Sequence, residues 1–114
     1  MPRSEFVLSG YRTMWLFVMF DLPVKTKRER KRYADFRKLL VASGFSMLQF
    51  SVYARCCASE EMGKRYSNVI RKHLPPAGHV RVLMVTDRQF GKMENYVGQK
   101  PEANESAPRQ LELF

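Results

Sequence analysis

The chain has 114 residues, 45% of them hydrophobic, which gives room for one domain with a thin core and excludes a second. Lys and Arg number 20 against 11 Asp and Glu, a formal net charge of +9 whose field favours polyanions, phosphate backbones above all. The longest apolar run, residues 14–20, is too short to cross a bilayer and is followed by no cleavage site, so a cytoplasmic protein without a membrane partner is expected.

Residues 1–12 show no clear period and are set aside as an N-terminal arm. Residues 13–20 (TMWLFVMF) are apolar at nearly every position, as in a strand covered on both faces, and end at the turn Asp21, Leu22, Pro23. Thr26 followed by Glu29 is a capping box, which opens a helix at about Lys27. Tyr33, Phe36, Leu39 and Leu40 form its buried stripe, and Ser43 with Gly44 ends it. Residues 45–49 and 50–57 read as two strands joined by a bend or bulge. Phe50, Val52, Ala54 and Cys56 alternate there with Ser51, Tyr53, Arg55 and Cys57, and Phe50 is assigned to packing.

Adjacent Cys56 and Cys57 on a strand point to opposite faces, so a disulfide between them is strained and reduced structural thiols are expected. A zinc site lacks its Cys-x-x-Cys pair and would need His73 and His79 to converge from elsewhere. Ser59 with Glu60 and Glu61 starts a second helix, whose apolar face carries Met62, Tyr66, Val69, Ile70 and His73 before Pro75 and Pro76 stop it. Residues 79–86 form another apolar strand ending at Asp87, read as a turn or helix-start residue, and a short strand follows at 94–97. Residues 99–109 are polar and linker-like, whereas 110–114 (QLELF) form an apolar C-terminal strand expected to dock on a sheet edge or a partner.

Strand, helix, strand, strand, helix, strand over residues 13–98 is the order of an α+β, ferredoxin-like βαββαβ sandwich. Its helices cover one face of the sheet. Because the first and fourth strands are apolar on both faces, a bare second face would leave a large apolar patch, and a symmetric homodimer is the expected cover.

Four segments then become specific: MFDLP at 19–23, QFSVYAR at 49–55, LPPAGHVRVLMVTDRQF at 74–90, and the terminal QLELF. Together they resemble the CRISPR-associated Cas2 family, the non-integrase subunit of spacer acquisition, and look like the form that accompanies type II systems. The resemblance implies a ferredoxin-like homodimer with a last strand contributed across the dimer, which bridges integrase dimers and holds duplex DNA. It also implies a metal-dependent phosphodiesterase, an endonuclease or endoribonuclease acting on DNA or single-stranded RNA.

By that resemblance Asp21 is both the catalytic residue and the metal ligand. Mg2+ or another divalent cation takes hard oxygen donors and keeps several waters, so one carboxylate per subunit, doubled by symmetry, suits it. Lys27, Arg28, Arg30, Lys31 and Arg32 are the candidate phosphate contacts, since Glu29 and Asp35 are too few to balance them. Arg55, in the strand after the bend, is a further candidate for nucleic-acid contact, with an ordinary ion pair as the competing reading. No aromatic interleaving for base stacking is visible, so contacts to phosphates are expected. Two alternatives stand beside the nuclease: a purely architectural DNA-binding scaffold, and a toxin-like ribonuclease on the same fold.

Overall fold

The apolar run near the N-terminus becomes the strand on which everything else is hung. In the computed structural model, which describes residues 13–108, β1 (Met14–Asp21) pairs antiparallel with β3 (Val52–Cys57) on one side and β4 (His79–Thr86) on the other. β2 (Ser46–Gln49) flanks β3, so the sheet order is β2-β3-β1-β4. With α1 (Lys27–Ala42) and α2 (Glu60–Lys72) as crossovers, this is the expected ferredoxin-like βαββαβ fold. The N-terminal arm and the docking strand at 110–114 lie outside the described residues.

Period-two alternation divides β1 between two environments. Leu16, Val18 and Phe20 face the helices and meet Leu40, Tyr53 and Ile70 in the main core. Trp15, Phe17, Met19 and Asp21 share the other face. Both helices start as their sequences dictate. Thr26 Oγ1 accepts from Glu29 N at 3.0 Å while Glu29 Oε1 accepts from Thr26 N at 2.9 Å, and Ser59 caps α2 by accepting from Met62 N. Among the described residues no helix is long and apolar enough to cross a membrane.

The second face is less bare than the strand pattern suggested. Thr86 and Gln89 form a further capping box that opens α3 (Asp87–Gly91), whose Phe90 stacks on Trp15 with ring centroids 4.1 Å apart. Asp87 is thus a helix-start residue, and its carboxylate accepts from Trp15 Nε1 at 2.7 Å. Chain expected to be linker also turns back here. β5 (Tyr96–Val97) pairs with β6 (Lys100–Pro101), and the Asn104 side chain donates to Phe90 O and Met93 O. This cover reaches the Trp15 end of the sheet. Toward Asp21, Met19 and Val52 stay half-buried and Leu83 exposed.

Both cysteines are free, with Cys57 buried on the helix side and Cys56 half-buried beside Trp15. Burial, followed by the Asp87 carboxylate, pushes the Cys56 thiol up from 9.0 to about 12. The folded chain therefore keeps a proton that the unfolded chain loses, so this group stabilises the fold fully below pH 9 and progressively less toward pH 12. At pH 8, iodoacetamide should alkylate Cys56 at least about a hundredfold more slowly in the folded protein than in urea, as read by intact mass.

Candidate functional site

Asp21 closes β1 on the helix-free face, exposed, and opposite His79 in the β1–β4 register. Its backbone is held from two directions. The Phe20 ring, pointing the other way, packs against Tyr33, Phe36 and Tyr53 with centroids 5.7, 5.2 and 5.7 Å away, and Phe20 N donates to Ser51 O at 3.1 Å. Just before β4, Gly78 sits at φ +99, and a Cβ there would come within 2.7 Å of Asp21 O. Glycine is required both for that backbone angle and for that approach.

Beside the acid lies a hollow of 220 Å³ lined by Met19, Phe20, Asp21, His79 and Arg81. Register places His79 across from Asp21 and Arg81 across from Met19, so both side chains share the acid's face. Neither was singled out as a partner of Asp21, although the alternation of His79, Arg81 and Leu83 with Val80, Val82 and Met84 carried the signal. Among the described residues, no three His, Cys, Asp or Glu side chains are grouped to hold a metal. The Asp21 carboxylate is the hard oxygen donor a magnesium-like ion takes, and the remaining ligands would come from water, phosphate or a second copy.

The five predicted helix cations are all exposed on the N-terminal half of α1, but they are not equivalent. Arg30 Nη1 donates to Val24 O at 3.1 Å and Lys25 O at 2.9 Å, which ties down the loop after Asp21, and Lys31 Nζ pairs with Asp35 at 3.1 Å. Lys27, Arg28 and Arg32 make no hydrogen bond or ion pair among the described residues, which leaves their charge available to an anion.

Arg55 is placed elsewhere. It pairs with Leu16 on the helix-covered face, its Nη1 donates to Ser43 O at 2.9 Å, and its guanidinium lies 4.0 Å over the Tyr66 ring. It closes the end of α1 against α2, on the opposite face from Asp21. Within the chain its guanidinium is thus engaged by Ser43 and Tyr66 rather than by the ion pair weighed for it, and it stands apart from Asp21 and the α1 cations. Phe50 also departs from expectation: the β2–β3 connection is a tight turn, and the ring at its tip is 81% exposed rather than buried in the core.

Residues 14–93 match the model of the family described as CRISPR associated protein Cas2. The chain belongs to the Cas2 family. A relative in Flavobacterium psychrophilum, called CRISPR-associated endoribonuclease Cas2, is 48% identical over 107 residues, covering 94% of this chain and 93% of its own length. A Parvibaculum lavamentivorans protein of the same description is 46% identical over 101 residues, 89% of this chain and 100% of that one. A solved structure described as "Crystal structure of cas2" superposes with a TM-score of 0.54 at 14% identity, covering 84% of this chain and 98% of that one, and supports the Cas2 fold.

Proposed function

We propose that this Cas2 family member is a cytoplasmic, metal-dependent endoribonuclease or endonuclease subunit of CRISPR adaptation, which works as a symmetric homodimer, binds duplex DNA and single-stranded RNA, and bridges integrase dimers. The observation that carries the reading is the exposed Asp21, clamped at a strand end beside His79 and Arg81, in a chain whose relatives are called endoribonucleases. Half-buried Met19 and Val52 and exposed Leu83 lie on the same face, and a two-fold contact there would cover them while bringing two copies of Asp21 near one axis. Asp21 would hold the divalent ion. When bound, magnesium polarises a phosphodiester and makes a coordinated water more acidic. Arg81 offers a guanidinium to the same phosphate, and Lys27, Arg28 and Arg32 hold the flanking backbone.

One observation favours a purely architectural scaffold instead: among the described residues of a single chain, no three His, Cys, Asp or Glu side chains are grouped to hold a metal. The two readings separate on the purified chain. Light scattering should give twice 13.4 kDa, and labelled single-stranded RNA or duplex DNA should be cut with magnesium and spared with EDTA. Duplex binding without cutting would leave the scaffold, and a monomer would remove both.

A further inference from the structure

The β2–β3 turn holds an aromatic ring in solvent by means that burial does not explain. Phe50 is 81% exposed, yet its ring is stacked on Tyr33 with centroids 6.1 Å apart and planes 22° from parallel. The Tyr33 hydroxyl lies 3.2 Å from Ser51 Oγ, a bond that joins helix to turn. Ser51 itself sits at φ 63, a left-handed conformation that a residue with a side chain rarely adopts and that persists only where its surroundings impose it. Its carbonyl accepts from Phe20 N, which anchors the turn to the strand end carrying Asp21. Along α1, Arg30 and Arg37 flank Tyr33 one turn to either side and brace the same region, Arg30 through Val24 O and Lys25 O and Arg37 through Nε donating to the Tyr53 hydroxyl at 2.8 Å.

An exposed π-surface backed by a second ring, on the strand-end turn beside a basic helix, is the chemistry that receives an unpaired nucleobase. We propose that Phe50, backed by Tyr33, is a stacking platform for one unpaired base of a bound nucleic acid. The inference rests on the nucleic-acid reading above and adds a preference to it. Single-stranded segments and frayed or overhanging duplex ends are favoured over blunt duplex, because a base held inside a stacked helix presents no free face.

The test uses the full chain and two fluorescent probes, a blunt duplex and the same duplex with a single-stranded overhang. Phe50→Ala should weaken binding of the overhang probe about tenfold and leave the blunt probe unchanged. Phe50→Trp should keep the overhang affinity, and its exposed indole should be quenched by the overhang probe alone. Wild-type affinity of Phe50→Ala for both probes would overturn the platform, as would a drop in oligomer mass with no change in overhang preference, which would assign the ring to contact between copies. Failure of the underlying reading looks different, since wild-type protein would then bind neither probe, and the platform would fall with it.

Discussion

Asp21→Asn should abolish divalent-dependent cleavage, by about a hundredfold or more, while the fold, the self-association and the duplex affinity stay at wild-type levels. The amide keeps the shape of the carboxylate but loses the charge that holds a hard cation, and each tenfold in rate corresponds to about 1.4 kcal/mol. Little else should change, because the Asp21 side chain is exposed and its backbone is fixed by the packing of the Phe20 ring and the Gly78 approach, not by the carboxylate. Asp87→Asn is the matched control. Its carboxylate accepts from Trp15 Nε1, an acceptor role the amide oxygen can keep, so cleavage should survive. Initial rates with magnesium, calorimetric melts and light scattering on the two variants check this. Cutting that persists in Asp21→Asn removes the acid from the chemistry, whereas a loss of mass would make it a structural residue.

What could be read from residue types differed between the frame and the site. Thr26 with Glu29, and Ser59 ahead of Met62, are local signals, and each produced its cap because capping depends on residues within one turn. The strands at 14–21 and 79–86 were legible for a similar reason, their apolar runs being long enough to exclude a loop. A five-residue helix such as α3 has no room for a period, and its only local mark is the capping pair Thr86 and Gln89. Arg55 shows the limit of alternation, which assigned it to a face with Tyr53 but could not say that Ser43 and Tyr66 would occupy its guanidinium. Alternation assigns Phe50 to packing because it cannot see that the strand begins at Val52, two residues after the ring. The Asp21 hollow needed the β1–β4 register, which lies in pairing between segments far apart in the chain.

The basic helix yields the other large effect. Replacing Lys27, Arg28 and Arg32 together with Ala should weaken duplex binding irrespective of sequence and lower the slope of log affinity against log salt by about 3. These three are chosen because the remaining cations carry structural duties. Arg30→Ala would release the carbonyls of Val24 and Lys25 and loosen the loop that follows Asp21, and Lys31→Ala would leave Asp35 unpaired, adding a repulsive charge. The triple variant removes charge from side chains without partners among the described residues, so its melting temperature should hold while its affinity falls. Anisotropy titrations across a salt series supply the slope. An unchanged slope would mean that phosphates lie elsewhere on the surface, and α1 would then be a solvated helix whose charge serves only long-range attraction.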